Sequence, residues 1–368
     1  MIEHTELVLQ ARHILTPEIV VGAASGESGF VAVRNGVIVA VGASEDAAPW
    51  VASADRVIDL DDATVTAGLV DAHIHPVLGL AMARGLDLSG ITSWADARRA
   101  LTAYVAEQES GWILGWGLDP AVFEGRKFDN SLFDGIADGR LVFIVLFDAH
   151  SALASQRALE EAGVTGREEF VDSARVSLGD DGRPNGALLE LSAQALVQRM
   201  LPEQTFDERV DALGRLLAAM AQSGLTGGQM LDLGAEDSFD LLDELERWGD
   251  LPIRLRISPW IMPGYVDEDL ERMVRLQGRH GRRWHVRGIK LMIDGTIDNG
   301  TAWLMQPDTH GESRSSLWLD PGEYARAVAF FHERCIPTTT HAIGDEGISY
   351  VARTIGAQPS NGTVHRIE

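Results

Sequence analysis

Residues 68–76 read "GLVDAHIHP". A short extended apolar run ends here in two histidines, His73 and His75, one residue apart and directly before Pro76. Side chains alternate across a strand with a period of two, so both imidazoles point to one face. One end of one strand then carries two metal-capable nitrogens. An isolated HxH arises readily by chance and is weak alone. Its place at the C-terminal end of an apolar run strengthens it, because parallel α/β architectures gather their ligands along that edge.

Downstream of this stretch, strand-like runs alternate with helical patterns. The runs are "LTGGQML" (225–231), "PIRLRISPW" (252–260), "VRGIKLMID" (286–294), "IPTTTHAIG" (336–344) and "GTVHRIE" (362–368). Between them lie "TFDERVDALGRLLAAMAQSG", "EDSFDLLDELERWG", "DEDLERMVRLQGRHG" and "PGEYARAVAFFHERC". Their apolar residues recur every three or four positions, their first turns are acidic, and several end near glycine. Strand–helix alternation predicts a parallel sheet, open and doubly wound or closed into a barrel. Upstream, from Leu7 to about Asp62, the text is short β-like runs, and Asn35-Gly36 between two of them is a strong hairpin signal. A small antiparallel sheet is expected there. Between His75 and about Glu203 the rhythm breaks, with "GWILGWGLDP", "RLVFIVLFDAH" and "DDGRPNGALLE"; this reads as a subdomain inserted over the mouth of the barrel.

Composition limits the function classes. The chain has 368 residues, 45% hydrophobic and 23% charged, so a sizeable core is available. Thirty-one basic against 55 acidic residues leave a formal charge of −24, which repels phosphate backbones and anionic membranes. No nucleic-acid or membrane partner is expected. One cysteine, Cys335, excludes an intrachain disulfide and any multi-cysteine zinc or iron–sulfur cluster. A metal here must rest on His, carboxylate or Lys. The opening "MIEHTELVLQ" is acidic where a signal peptide is basic, and no apolar run approaches the roughly 18 residues of a membrane span. A cytoplasmic location is the expectation.

Three further residues stand out. His341 closes the run "IPTTTHAIGD" as a ligand or as a satisfied strand-end polar group, and Asp345 reads as a substrate contact or as the N-cap of the next helix. Lys290 in "GIKLMI" sits mid-strand, where an unpaired ammonium is strongly disfavoured. Either a carboxylate such as Asp294 neutralises it, or CO₂ carboxylates it into an anionic ligand able to bridge two metals.

An HxH at one strand end, a lysine on a later strand and a histidine on the next form one constellation. With "GWILGWGLDP", "FDAHSALASQRALEEAGV", "DGRPNGALLE", "GIKLMIDGTIDNGTA", "THAIGDEG" and "HRIE" following in order, the chain resembles the metal-dependent amidohydrolases, specifically the YtcJ-like branch of amidohydrolase-3 proteins. The resemblance implies an α/β fold, a (β/α)₈ TIM barrel of which this chain covers about six strands. Beside it would lie a small β-sandwich, its N-terminal part at 1–66. The barrel would run over 67–368, with the insertion at about 76–203. It implies hydrolysis of an amide-type C–N bond of a small molecule by hydroxide generated on one or two Zn²⁺-like ions. His73 and His75 would be first-strand ligands, Lys290 the carboxylated fourth-strand ligand and His341 the fifth-strand ligand; counting the runs above gives the same strand numbers. His150 and Asp294 are the candidate catalytic residues, and Trp116, His150 and Asp345 the candidate substrate contacts. Glu190 falls in a matching motif, with a structural role as the alternative. A homodimer is expected.

The chain also departs from the family pattern. That pattern ends "HRIEH", with its last histidine as the sixth-strand ligand, whereas this chain stops at Glu368; His365 is the earlier histidine of the motif and is not that ligand. The seventh and eighth strands, with the eighth-strand aspartate that shuttles protons, lie outside the sequence. A six-stranded partial barrel exposes two parallel edges, so a longer parent protein is expected. No GxSxG, P-loop, GxGxxG or HExxH competes. The rival readings are a non-catalytic ligand-sensing or partner-binding protein on the same fold, and ester hydrolysis or deamination at the same metal site.

Overall fold

The computed structural model describes residues 4–15, 28–232, 236–298 and 300–368. The chain divides into two compact units, Met1–Leu69 and Val70–Glu368.

The first unit holds β1 (Thr5–Ala11), β2 (Gly29–Arg34), β3 (Val37–Ala43) and β4 (Ala54–Asp59) in the order β3-β2-β1-β4. Asn35 and Gly36 both take positive φ, 51° and 69°, and the tight turn pairs Arg34 with Val37 in the antiparallel β2–β3 hairpin. The sheet is mixed rather than antiparallel, since β4 pairs parallel to β1. The intervening connection, with its short helix Ala48–Val51, supplies the crossover that a parallel neighbour needs. Val8, Phe30, Ala32 and Ala47 form its core.

The second unit opens with β5 (Leu69–Ile74), whose end carries the two histidines. The segment that follows builds a six-stranded mixed sheet. Its strands are β6 (Leu86–Asp87), β7 (Trp112–Leu118), β8 (Leu141–Leu146), β9 (Ser151–Ala154), β10 (Arg175–Leu178) and β11 (Pro184–Leu189), in the order β10-β11-β9-β8-β7-β6. Apolar clusters cover both faces: Leu101, Ile113, Val142 and Ile144 lie in one, Phe143, Val145, Leu159 and Val197 in the other. That explains why "LVFIVL" is apolar at every position instead of alternating.

The rest supplies β12 (Leu225–Met230), β13 (Arg254–Ile257), β14 (Trp284–Val286), β15 (Ile289–Met292), β16 (Thr338–His341) and β17 (Arg366–Ile367). They form two sheets, β14-β13-β12-β5 and β15-β16-β17. Neighbours are parallel from β12 to β14 and from β15 to β17. Their outer faces pack on helices such as Phe206–Gln222 and Pro321–Glu333, with Leu213, Leu217, Leu255 and Ile257 in one core and Leu291, Val328 and Phe331 in the other.

Among the described residues the two sheets meet at a single parallel bridge, where Lys290 N donates to Pro259 O (2.9 Å) and Ile261 N to Lys290 O (3.0 Å), and no closed barrel forms, in keeping with a chain that carries only part of one. One expectation is corrected: the run at 286–294 is two elements, not one strand. Gly288 takes φ +96° and breaks the extended backbone between Val286 and Ile289, and the Gln277 side chain accepts the Gly288 N–H.

Candidate metal and catalytic site

His73 and His75 lie at the C-terminal end of β5 and His341 at that of β16, while Lys290 lies within β15. At the end of β5 the period-two geometry brings the rings together: His73 Nε2 and His75 Nε2 lie 2.9 Å apart, the rings edge-on with centroids at 4.9 Å. Trp260 closes on the other side of His75, also edge-on at 5.7 Å. His75 Nδ1 is buried without a hydrogen-bond partner, 3.7 Å from Asp232 Oδ1. Asp232, 1% exposed, accepts from Val77 N (2.7 Å) and Leu78 N (3.2 Å) in the first turn of helix Pro76–Met82, where the helix dipole favours a carboxylate.

Lys290 is 1% exposed and its ammonium pairs with Glu368. The carboxylate that neutralises it is thus Glu368 and not Asp294. The parallel register explains the meeting: Lys290 lies opposite Thr339, which in turn lies opposite Arg366. Residues two further along, His341 and Glu368, therefore project from the same face. Glu368 also pairs with Arg366, and its Oε1 is 3.4 Å from His73 Nδ1. Burial pushes the Lys290 amine below its ordinary range despite Glu368. Burial first, and the nearby Lys290 charge second, lower His73 to about 4.

A second group surrounds His341. Its Nε2–H donates to Gly295 O (3.1 Å), and its ring stacks on His150 with centroids 5.4 Å apart. Burial, then the facing His150, lowers His341 to about 4. His150 sits on the loop between β8 and β9. Its Nδ1–H donates to Glu190 Oε2 (2.9 Å), and its backbone N to Asp148 Oδ1 (3.1 Å). Burial by itself would lower His150, but Glu190 and then Asp148 outweigh it and the net shift is upward. Asp148 Oδ2 in turn accepts from Thr296 Oγ1 at 3.0 Å.

Asp294 is fully buried and lies beside this group, its Oδ1 4.0 Å from His341 Nε2. Its two oxygens accept from Trp303 N (2.9 Å), Gly344 N (2.8 Å) and Ile343 N (3.1 Å), so in this geometry the carboxylate clamps two loops beneath His341. Asp345 is exposed and is the first residue of helix Asp345–Gly356, whose N-cap is Gly344; it is not the cap, and its side chain accepts from Met305 N at 2.7 Å. Trp116 packs with Met82, Phe143 and Val145 on the inserted sheet. Among the described residues no hydrogen bond, ion pair or ring contact joins either one to the histidines. His365 bonds to a separate pair of residues. Its Nδ1 accepts from Thr338 N (3.1 Å) and its Nε2 meets His332 Nδ1 (2.9 Å).

The partners that organise the site are carboxylates: Asp232, Asp148, Glu190 and Glu368. Asp232 directly follows "LTGGQML" and Asp148 stands two residues before His150. A carboxylate at the end of an apolar run is the signal that would have singled them out.

Comparison with known proteins decides the family. The amidohydrolase family model of the amidohydrolase-3 type matches residues 56–368. The chain belongs to the amidohydrolase family. Relatives of this amidohydrolase-family chain include Protein LONG AFTER FAR-RED 3 of Arabidopsis thaliana, 25% identical over 333 residues, covering 86% of this chain and 56% of that protein. The putative amidohydrolase YtcJ of Bacillus subtilis (strain 168) is 24% identical over 343 residues, covering 91% of this chain and 64% of that protein. A solved structure of an uncharacterized metal-dependent hydrolase from Pyrococcus horikoshii OT3 superposes with a TM-score of 0.66 at 20% identity, covering 98% of this chain and 69% of that one. The chain therefore spans 56–64% of the length of these two curated relatives.

The family implies a divalent metal, and the β5 histidines fit one. Two imidazole nitrogens aimed at each other across 2.9 Å offer two lone pairs to one cation, and Asp232 beside His75 Nδ1 is placed to orient that ring. No three His, Cys, Asp or Glu side chains among the described residues gather into a metal-holding group. The fit is that of the histidine pair.

Proposed function

We propose that the protein is a metal-dependent hydrolase of amide-type C–N bonds in small organic molecules. His73 and His75 would hold a divalent ion, zinc first, with Lys290 and His341 as further donors. The observation that carries this reading is the convergence of the two β5 imidazoles beside the buried Lys290–Glu368 pair. When bound, such an ion would polarise a carbonyl and lower the pKa of water toward about 7.

The chain's own residues supply positioning and proton handling. His150, held through Nδ1 by Glu190, leaves Nε2 to give or take a proton at the substrate, a contribution of about 10²–10⁴ in rate. Asp294 fixes the loops that carry Trp303 and Gly344 and so keeps His341 in place. The stacking of His341 on His150 keeps the proton-handling ring next to a candidate donor.

Metal content of the purified protein, followed by turnover of a panel of N-acyl, formamide and cyclic amide compounds, tests the reading. Zinc or a similar ion should copurify, and His73→Ala/His75→Ala should lose both metal and turnover. Lys290→Ala should reduce turnover at least 100-fold, on the order of a lost catalytic group; retained activity removes the lysine from the donor set. A wild-type protein that binds metal and leaves every amide intact would favour the non-catalytic reading.

A further inference from the structure

His150 is held by backbone that L residues avoid. Ala149, immediately before it, has φ +62°. Glu190, its side-chain partner, has φ 67° and ψ 162°, a region that is essentially glycine's own. Three bonds hold this arrangement: Glu190 N donates to His150 O (2.7 Å), Gln194 Nε2 to Ala149 O (3.0 Å) and Gln194 N to Glu190 O (3.1 Å).

The carboxylate itself is equally costly. Glu190 is 1% exposed, and its Oε1 is buried without a hydrogen-bond partner. Room for that oxygen depends on the missing side chain at Gly295, where a Cβ would fall 2.0 Å from Oε1. A buried carboxylate on strained backbone with one oxygen unsatisfied lowers stability. What it secures is the bond from Oε2 to His150 Nδ1 at 2.9 Å. A carboxylate oxygen only accepts, so the ring hydrogen is on Nδ1 and Nε2 is the open nitrogen, in a ring stacked at 5.4 Å on His341.

We propose that Glu190 is a positioning residue that sets the ring plane of His150 and holds its hydrogen on Nδ1, and that the positive-φ backbone at Ala149 and Glu190 exists for that placement. The use of the open Nε2 in catalysis rests on the hydrolase reading above; the tautomer does not.

The test uses Glu190→Gly, because glycine adopts the native φ and ψ without strain, so the variant removes the carboxylate-bearing side chain while the backbone keeps its conformation. Ring ¹⁵N NMR at pH 8.5, with His150 assigned from His150→Ala, reads the tautomer directly and needs no substrate. The wild type should show hydrogen on Nδ1, and Glu190→Gly should lose that preference. Any other protonation pattern in the wild type, or the same pattern in both proteins, overturns the proposal. On any amide the protein turns over, Glu190→Gly should lower kcat about 10–100-fold, the usual cost of losing a supporting partner, with KM within about twofold. Added to His150→Ala it should cost nothing more, whereas additive losses would show that Glu190 acts without His150. Absence of turnover sinks the hydrolase reading and leaves the tautomer measurement standing.

Discussion

Lys290 shows how one residue can announce a problem that only its neighbours solve. An ammonium that is 1% exposed within a strand of Ile289, Leu291 and Met292 must be neutralised, and this much was legible from "GIKLMI". Its partner was not, because Glu368 lies 78 positions away and arrives through two parallel registers. The pair offers a test with a sign. If Lys290 is an ammonium, Glu368→Gln strands a buried charge and should cost about 3 kcal/mol in urea unfolding. If the lysine is carboxylated, the same substitution removes a like-charge contact and should leave stability unchanged or raised. The direction of the change in midpoint decides between the two species.

At the scale of elements, the loops after β15 and β16 are locked against each other. A Cβ at Gly344 would fall 2.1 Å from Trp303 O and 2.4 Å from Trp303 C, both backbone atoms that cannot step aside. Gly344→Ala should therefore cost about 3 kcal/mol or more by thermal or urea unfolding and disturb His341. A loss under about 0.5 kcal/mol would mean the two loops are not in contact. A second element-level device is the chain Thr338–His365–His332–Pro359. Thr338 N donates to His365 Nδ1, the two rings meet at 2.9 Å, and His332 Nε2 bonds Pro359 O at 2.7 Å. Burial, then His332, depresses His365 below its ordinary 6.5. A depressed folded-state value means that the unfolded chain binds the proton more readily, so this stabilisation is complete above about 6.5 and declines as pH falls below it. Unfolding free energies from pH 8 to pH 5 should fall accordingly, and His365→Phe should flatten the slope while costing about 1–3 kcal/mol for the orphaned partners. An identical slope in the variant would remove His365 from the account. At this scale the sequence text was accurate where a residue type forces a conformation, as at Asn35-Gly36. It was inaccurate where one residue interrupts an apolar run: Gly288 is a single letter inside "VRGIKLMID", yet it divides the segment between two sheets.

For the whole molecule, a metal that binds the folded state and not the unfolded one should stabilise it by RT ln(1 + [L]/Kd), about 4 kcal/mol at a thousandfold excess over Kd. Thermal unfolding after exhaustive chelation and again with added zinc should show a rise in Tm that saturates with zinc and vanishes in His73→Ala/His75→Ala; an equal rise in that variant would place the ion elsewhere. Read by itself, the sequence determined the strand–helix alternation, the family, the shared face of His73 and His75, and the need to neutralise Lys290. The alternation and the shared face follow from local periodicity, the lysine's need from the cost of burying a charge, and the family from the order of short motifs along the chain; none of these depends on which distant side chains meet. Tertiary structure alone decided that Glu368 is the lysine's partner, that Asp294 clamps two loops, and that Glu190 holds His150. These pairings join residues from 9 to 78 positions apart, and which side chains meet is set by sheet register and by a few backbone positions with positive φ, neither of which a one-dimensional pattern records.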